Sequence, residues 1–383
     1  MEIMVKRIVQ LSLLLLLMQG TFSSATERGG KWLIEDVMEQ QAPAANAAVP
    51  AIFVFGDSVL DAGTNTYFPS LLQADFKPYG TQYFGKPTGR WTNGRTYADF
   101  FATYIGLDLI EPYMKRKGKW STITGVNYAS AGCGLLRTTN AANKVIPFPD
   151  QILQFGQTKT QIEQTLKSKQ AAKELFSRSL FLINIGGNDV FGYITNQSVP
   201  QQVFVDGLLV ILKASFEVLY EAGARKVMFL GSGPLGCVPG ALVSAGITNG
   251  QCVQSWSAIG QAYNAALEQF VYTLHESFPD VKAIVGTPYE LLDDFITNGE
   301  KYGFTAGVTA CCGSGLYNAA VQCGRPADLI TNPETNLCDD VDKHVFWDFY
   351  HPTDRVYEMI ANEFWSGNSS TVSPVNLRTL VLS

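Results

Sequence analysis

The sequence predicts an α/β fold in which helices cover both faces of a central, mostly parallel sheet. Short apolar runs without polar alternation recur along the chain, and each is followed by a glycine. Such runs are typical of strands that are buried on both faces. Longer stretches of helical character lie between them, so strand and helix alternate as in a three-layer α/β/α sandwich.

Four apolar runs are predicted to be strands: residues 51–55, 180–185, 227–230 and 281–285. The clearest predicted helices are residues 96–106, 151–167, 201–223 and 255–278. The third helix ends at Gly223, a residue type that commonly terminates helices. Ligands of such sheets bind beyond the carboxyl ends of the strands, so a functional site is expected in the turns after them.

Length and composition limit the class of protein to which the chain can belong. The chain has 383 residues, which predicts two domains or one large one. Apolar residues make up 46% and charged residues 16%, a balance that favours a folded core over disorder. The net charge is −6 and no basic cluster occurs, so the sequence predicts no nucleic-acid partner.

The N-terminus has the pattern of a secretory signal peptide. Lys6 and Arg7 precede an apolar run over residues 8–18, which is followed by small residues up to Ala25. Residues 1–25 are therefore expected to be a cleaved signal peptide and the protein to be secreted, although a membrane anchor is the alternative. The next segment, 26–50, lacks periodicity and is interpreted as an N-terminal linker.

Seven cysteines agree with an oxidising compartment. Six lie in the C-terminal half and Cys133 stands apart, so three disulfides and one free thiol are expected, with the pairing open. Zinc is the alternative, but no C-x-x-C pair occurs and only three histidines are present, so no metal is predicted. Asn196 and Asn368 begin N-glycosylation triplets that agree with secretion.

The first turn after a predicted strand contains Ser58, in the run A-I-F-V-F-G-D-S. A serine nucleophile needs a base, normally histidine. His351 has Asp348 three residues before it, a spacing that places both side chains on one side of a turn. The carboxylate can then orient the imidazole. An Asp–His pair that caps the next helix is the alternative, while His275 and His344 are interpreted as structural.

Acyl transfer also needs hydrogen-bond donors for the oxyanion that develops on the substrate. Asn188 stands three residues beyond the end of a predicted strand, as Ser58 does, and its side-chain amide can donate. Gly132 lies in a small-residue run that allows a backbone N–H to approach a ligand closely. For either residue alone, an ordinary glycine-rich turn is the alternative.

The combination of these residues, in this order, resembles the four blocks of the SGNH hydrolases, and above all the plant GDSL esterase/lipase family. The similar motifs are G-D-S-V-L-D-A-G-T-N, P-T-G-R-W-T-N-G-R, G-V-N-Y-A-S-A-G, I-G-G-N-D, G-P-L-G-C-V-P, A-C-C-G-S-G-L-Y-N and F-W-D-F-Y-H-P-T. The resemblance covers nearly all of residues 51–366. It implies one flavodoxin-like domain with a central parallel sheet of about five strands, followed by a C-terminal tail at 367–383.

By the same resemblance, Ser58 is the nucleophile, His351 the general base and later acid, and Asp348 the residue that orients it. The backbone N–H groups of Ser58 and Gly132 and the amide of Asn188 would form the oxyanion hole. Ala131 and Cys133 stand where the family commonly has other small residues or glycine, but both are small. His344 stands where the family often has an aromatic residue.

The resemblance implies a secreted carboxylic ester hydrolase with a lipid or small-molecule ester as substrate and no cofactor. An acyltransferase with the same triad and a non-catalytic extracellular binding protein are the alternatives. The run G-S-G-P-L-G at 231–236 matches a dinucleotide fingerprint, but Pro234 and Pro239 argue against the helix that would bind pyrophosphate. Aromatic residues after the nucleophile, including Tyr79 and Trp91, could line an acyl groove or pack in the core.

Overall fold

The structure is a computed structural model that describes residues 47–116, 124–324 and 336–383. The predicted signal peptide and most of the predicted linker lie outside the described residues.

The described strands are β1 (Ile52–Gly56), β2 (Gly125–Asn127), β3 (Leu180–Asn184), β4 (Lys226–Leu230), β5 (Lys282–Gly286), β6 (Cys312–Gly313), β7 (Asn336–Leu337) and β8 (Val372–Ser373). Six of them form the main sheet, in the order β2-β1-β3-β4-β5-β8, and β6 and β7 form a separate pair. The first five are parallel, as predicted, and β8 adds an antiparallel edge. All four predicted strands are confirmed to within two residues.

The described helices are α1 (Thr81–Phe84), α2 (Tyr97–Ile105), α3 (Tyr113–Arg116), α4 (Phe148–Leu166), α5 (Lys169–Arg178), α6 (Gly187–Thr195), α7 (Gln201–Ala222), α8 (Pro239–Ser244), α9 (Gln254–Ser277), α10 (Tyr289–Thr297), α11 (Asp354–Ser366) and α12 (Leu377–Leu382). The four predicted helices correspond to α2, α4, α7 and α9. Gly223 ends α7 as predicted, with φ 124° and its N–H donating to Leu219 O and Tyr220 O.

Two layers of helices enclose the sheet because successive strand residues point to opposite faces. Phe53 on β1 packs against Phe155 of α4 and Phe176 of α5, with ring centroids 5.7 and 5.4 Å apart. Its neighbours Ile52 and Val54 belong to a second buried cluster that includes side chains of α2, α11 and α12. Both faces of β1 are thus buried, which explains the absence of polar alternation in the sequence.

The strand order places the carboxyl ends of β1 and β3 side by side, with β2 on the far side of β1. The chain therefore changes direction across the sheet between β1 and β3. Such a switch point leaves a crevice above the strand ends, where ligands of open α/β sheets bind. The turns after these two strands contain Ser58 and Asn188.

The C-terminal part of the chain is cross-linked. Disulfides join Cys237 to Cys252, Cys311 to Cys338 and Cys312 to Cys323, and Cys133 is free and buried. Three disulfides and one free thiol were predicted from the count, and the structure supplies the pairing.

Residues 367–383, predicted as a tail, include the edge strand β8 and the helix α12. Leu377, Leu380 and Val381 of α12 are buried in the same cluster as β1. The end of the chain therefore contributes to the core of the fold. No helix in the described ranges is both long and apolar enough to cross a bilayer.

The glycine-rich run after β4 does not continue into a dinucleotide-binding helix. It enters the short 3₁₀ turn Leu235–Cys237 and then the six-residue helix α8. Pro239 occupies the first position of α8, where proline is well tolerated, so it delays the helix rather than preventing one.

Candidate active site

The nucleophile candidate lies in a turn that is tightly packed against the neighbouring strand. Gly56 ends β1 with φ 143°, and a Cβ there would lie 2.0 Å from the carbonyl oxygen of Asn184 on β3. Only glycine fits this approach. The next residue, Asp57, donates its N–H to the same oxygen at 3.2 Å. The half-buried Ser58 is thereby fixed at the crevice above the sheet.

The three predicted catalytic side chains form one hydrogen-bonded chain. Ser58 Oγ lies 2.8 Å from His351 Nε2, and His351 Nδ1 lies 2.8 Å from Asp348 Oδ1. Asp348 is fully buried and His351 is 6% exposed. A carboxylate oxygen accepts hydrogen bonds, so the proton of the neutral imidazole lies on Nδ1. Nε2 then accepts the hydroxyl proton of Ser58, which is the arrangement that activates a serine.

Asp348 also closes the turn on which His351 stands. Its Oδ1 accepts the backbone N–H of Tyr350 at 2.9 Å and of His351 at 2.8 Å. Trp347 N–H donates to His351 O at 2.8 Å, so the turn is held at both ends. The following helix begins at Asp354 with Thr353 at its N-cap, and Asp348 does not cap it.

The run P-T-G-R-W-T-N-G-R holds the start of α11 beside His351. Asn93 Oδ1 accepts the backbone N–H of Asp354 at 2.8 Å, and Arg95 forms an ion pair with the Asp354 carboxylate at 2.8 Å. A Cβ on Gly94 would lie 2.3 Å from Asp354 Oδ1. Apart from the resemblance, no local pattern assigns this run a role, because its partner lies about 260 residues away along the chain.

Gly132 is held in a conformation that favours glycine. Its φ is 80°, and a Cβ would meet Leu72 Cδ1 at 2.2 Å. The preceding N–H, of Ala131, donates to Asp61 Oδ2 at 2.9 Å, and Asn140 Nδ2 donates to the Gly132 carbonyl at 2.8 Å. Both flanking peptide groups are therefore fixed, and Gly132 lines the same cavity as Ser58.

Asn188 stands in the first turn of α6 and lines the cavity with Ser58 and Gly132. Its Nδ2 donates to the Cys133 carbonyl at 3.0 Å and to Asp57 Oδ2 at 3.2 Å. These contacts orient the amide in the resting site.

Three buried carboxyl groups beside the site have no counterpart in the sequence analysis. Burial raises the pKa of Asp57 to about 7 and that of Asp61 to about 6, and it raises the pKa of Asp189 as well. Asp61 accepts the N–H groups of Gly63 and Thr64, at 2.7 and 2.6 Å. The sequence feature that could have indicated such a group is Asp57 itself, an acidic residue immediately after the fully apolar strand β1.

Asp189 fixes the wall of the cavity that follows Gly132. Its carboxylate accepts the N–H groups of Leu135 and Leu136 at 2.8 and 3.0 Å and the hydroxyl of Thr139 at 2.6 Å. The loop is thereby attached to α6, the helix that presents Asn188. The two proposed sources of oxyanion donors are thus held together by one buried side chain.

A cavity of about 770 Å³ opens above Ser58 and His351. Its apolar lining includes Leu72, Leu136, Phe191, Phe204, Leu292 and Phe349. Of the aromatic residues considered for an acyl groove, Trp91 lines the cavity, whereas Tyr79 lies fully buried beside it. The cavity can accept an apolar group considerably larger than acetyl.

The remaining predicted positions lie away from this chemistry. His275 Nε2 is 3.0 Å from Ala283 O, and His344 Nδ1 is 3.1 Å from Asp340 O. Among the described residues, His344 also forms a potential metal-binding group with Cys311 and Cys338, but these cysteines form a disulfide and offer no thiolate. Asn196 and Asn368 are both exposed, and Asn196 lies on the rim of the cavity.

Comparison with known proteins identifies the family. The family model described as GDSL-like Lipase/Acylhydrolase matches residues 52–364. The chain belongs to this GDSL lipase/acylhydrolase family. Among curated relatives, GDSL esterase/lipase 6 of Arabidopsis thaliana is 36% identical over 345 residues, covering 88% of this chain and 91% of the relative. GDSL esterase/lipase 7 of the same plant is 35% identical over 343 residues, covering 86% and 92%.

A solved structure of a putative GDSL-like lipase from Parabacteroides merdae also matches this GDSL protein. It is 13% identical, with a TM-score of 0.36, and the match covers 82% of this chain and 93% of that one. The sequence relatives and the family model show that the chain is a serine ester hydrolase. The resemblance inferred from the motifs is confirmed.

Proposed function

We propose that this GDSL protein hydrolyses carboxylic esters through an acyl-enzyme on Ser58. Ser58 Oγ attacks the ester carbonyl carbon while its proton passes to His351 Nε2. His351 then gives this proton to the leaving alcohol as the ester C–O bond breaks. The observation that carries the proposal is the 2.8 Å contact between Ser58 Oγ and His351 Nε2, with Asp348 2.8 Å behind the imidazole.

Deacylation repeats the same steps with water. His351 removes a proton from a water molecule that attacks the acyl carbon, and Ser58 leaves with that proton as the acid is released. Asp348 keeps the imidazole in one tautomer and stabilises the imidazolium formed in each half-reaction. The full burial of Asp348 supports this role, because an electrostatic interaction is strong where water is excluded.

The oxyanion that develops in each step would accept hydrogen bonds from the N–H groups of Ser58 and Gly132 and from the amide of Asn188. Two features support this assignment. All three residues line the cavity, and the loop that carries Gly132 is anchored by two buried carboxylates, Asp61 and Asp189, the second of which lies on α6 beside Asn188. Donors that are fixed before the reaction need no reorganisation as charge develops.

The substrate is proposed to be a lipid or another small-molecule ester with a sizeable apolar acyl group. The apolar lining of the cavity and its volume of about 770 Å³ support this class. Within this class, we expect turnover to rise from acetyl to medium-length acyl chains as more of the cavity is filled.

We also propose that the protein is secreted, with residues 1–25 removed and Asn196 and Asn368 glycosylated. The three disulfides and the exposure of both asparagines support this view. N-terminal sequencing of protein from a plant cell culture should begin after Ala25. Enzymatic deglycosylation should lower its mass by two glycans, and an intact Met1 would contradict the proposal.

The experiment that tests the catalytic proposal is hydrolysis of p-nitrophenyl esters from acetyl to palmitoyl. The wild type should release nitrophenol, and Ser58→Ala should lose nearly all activity while it keeps its thermal unfolding profile. Ser177→Ala is the matched control and should match the wild type, because Ser177 lies in α5 just before the start of β3, at the end of the sheet away from Ser58. Turnover by Ser58→Ala at the wild-type rate, or no ester hydrolysis by a folded wild type, would contradict the proposal.

A further inference from the structure

Tyr79 is a fully buried residue beside the site, and the mechanism above does not use it. Its ring is fixed by two tryptophans in edge-to-face contact, Trp91 at 5.7 Å and Trp347 at 5.9 Å between centroids. The hydroxyl at the end of this ring donates to Asp348 Oδ2 at 2.7 Å. The residues lie 269 positions apart in the chain, so only the fold brings them together.

The hydrogen bonds of Asp348 divide between its two oxygens. Oδ1 accepts the backbone N–H groups of Tyr350 and His351 and faces His351 Nδ1 at 2.8 Å. Oδ2 faces the same Nδ1 at 3.0 Å and accepts the hydroxyl of Tyr79. Among the described residues, Tyr79 is the one side chain besides His351 that forms a hydrogen bond with this carboxylate.

We propose that Tyr79 is a positioning residue that sets the orientation and basicity of the Asp348–His351 pair. This inference rests on the proposed function of that pair. A hydroxyl on Oδ2 holds the carboxylate in the plane that presents Oδ1 to the imidazole. It also takes up part of the negative charge, so less of that charge is available to stabilise a protonated imidazole.

This role fits the surroundings of Asp348. The carboxylate is fully buried, so water does not supply the missing hydrogen bond if the hydroxyl is removed. Among the described residues, Asp57, Tyr350 and Tyr357 are further titratable groups that interact with the pair. All three remain in place when only the hydroxyl of Tyr79 is removed, so a change in the pH profile would report on that hydroxyl.

The test is the pH dependence of kcat/KM for p-nitrophenyl ester hydrolysis by Tyr79→Phe. The acid limb of this profile reports protonation of the catalytic base in the free enzyme. Without the hydroxyl, Asp348 favours the protonated imidazole more strongly, so the limb should move to higher pH by about half a unit. We expect kcat to fall about threefold to tenfold with KM nearly unchanged, since no substrate contact is lost.

A matched control separates this role from a loss of stability. Tyr113 is also buried, and its hydroxyl donates to Gln157 Oε1 at 2.6 Å on the other face of the sheet. Tyr113→Phe should lose one tyrosine hydrogen bond, to a neutral amide rather than to the catalytic carboxylate, and leave the acid limb and kcat at their wild-type values. A variant with only a structural defect would behave like this control.

Substitution at position 79 by a fluorinated tyrosine makes the hydroxyl a stronger donor and keeps the ring packed. The acid limb should then move to lower pH, opposite to the effect of Tyr79→Phe. This second variant keeps the inference testable if Tyr79→Phe does not fold.

Wild type and Ser58→Ala, measured in the same assay, distinguish a failure of the proposed function from a failure of the role of Tyr79. An inactive wild type, or an active Ser58→Ala, would overturn the proposed function itself. If those two behave as expected but the Tyr79 variants have the wild-type acid limb and kcat, the role of Tyr79 alone is overturned.

Discussion

The two sides of the proposed active site are built in different ways: the nucleophile side, with Ser58, and the base side, with His351. Ser58 and Asn188 follow β1 and β3 directly, so the register of two paired strands fixes where both turns begin. His351 and Asp348 lie in a segment between β7 and α11 that has no long regular element. That side depends on contacts between distant parts of the chain.

The contacts on the base side are numerous. Cys311 N–H donates to Phe346 O at 2.9 Å and Cys312 N–H donates to Trp347 O at 2.8 Å, while both cysteines form disulfides. The segment just before Asp348 is therefore hydrogen-bonded to a cross-linked pair. Strand pairing thus sets where the turns of the nucleophile side begin, and buried side chains such as Asp61 fix the loops above them, whereas the base side is a loop that relies on covalent and side-chain attachment.

The largest effect is expected from a change that breaks the base side at its centre. Asp348→Asn keeps the size of the side chain but presents an amide that favours the wrong imidazole tautomer. We expect kcat to fall by roughly 10⁴, as when a triad aspartate is replaced in this way. Steady-state hydrolysis would measure it, with Asp339→Asn, an exposed neighbour, as the control. A kcat within tenfold of wild type would show that Asp348 does not orient His351.

A smaller effect is expected from the nucleophile side. Asn188→Ala removes one oxyanion donor, which should lower kcat by about 10²–10³ and leave KM nearly unchanged. Steady-state kinetics at the pH optimum provide the measurement. An unchanged kcat would remove Asn188 from the mechanism and leave its contacts with Cys133 and Asp57 as purely structural.

A pair of disulfide variants tests the dependence of the base side on cross-links. Replacing Cys311 and Cys338 by serine opens a 27-residue loop, and replacing Cys237 and Cys252 opens a 15-residue loop. Each should cost about 3 kcal/mol of unfolding free energy.

The first pair of substitutions should also lower kcat, by about tenfold or more, because it releases two backbone hydrogen bonds to the segment just before Asp348. The second pair should lower kcat less, because the segment after Cys237 has one such bond, from Gly240 N–H to Phe349 O. Chemical denaturation and kcat measured on both variants give the comparison. Equal kcat values in the two would contradict the dependence of the base side on its disulfides.

The last effect, on stability rather than on activity, concerns the buried carboxylates of the nucleophile side. The folded protein raises the pKa of Asp57 from 3.8 to about 7, so it binds this proton more tightly than the unfolded chain does. The unfolding free energy should therefore fall as pH rises from 4 to 7, by up to about 4 kcal/mol from this group.

Asp57→Asn should remove that part of the decline, whereas the exposed Asp206→Asn should not. Denaturant titrations at several pH values measure it. The account fails on this point if wild type and Asp57→Asn lose stability in parallel over this range.

The same contrast explains what the sequence could predict. The strands β1, β3, β4 and β5 were predicted because their apolar runs reflect burial on both faces. The strands β2 and β8 were missed because three and two residues are too few to form a pattern. Local patterns likewise indicated Ser58 and Asn188, each placed after a strand.

The base side was predicted only in part. The three-residue spacing of Asp348 and His351 is local and was recognised. The contacts from Tyr79, Asn93 and Arg95 join residues more than 250 positions apart, and no local pattern marks them. The buried carboxylates were missed for a related reason, since an aspartate in a turn normally faces water and its burial depends on what packs above it.

Covalent labelling asks whether Ser58 is the activated nucleophile, and its outcome does not depend on the choice of substrate. The wild type is incubated with a fluorophosphonate, and the adduct is located by peptide mass spectrometry. The account predicts one adduct per chain, on the peptide that contains Ser58, and very slow labelling of His351→Ala. Labelling of a different serine by the active enzyme, or equally fast labelling of His351→Ala, would contradict it.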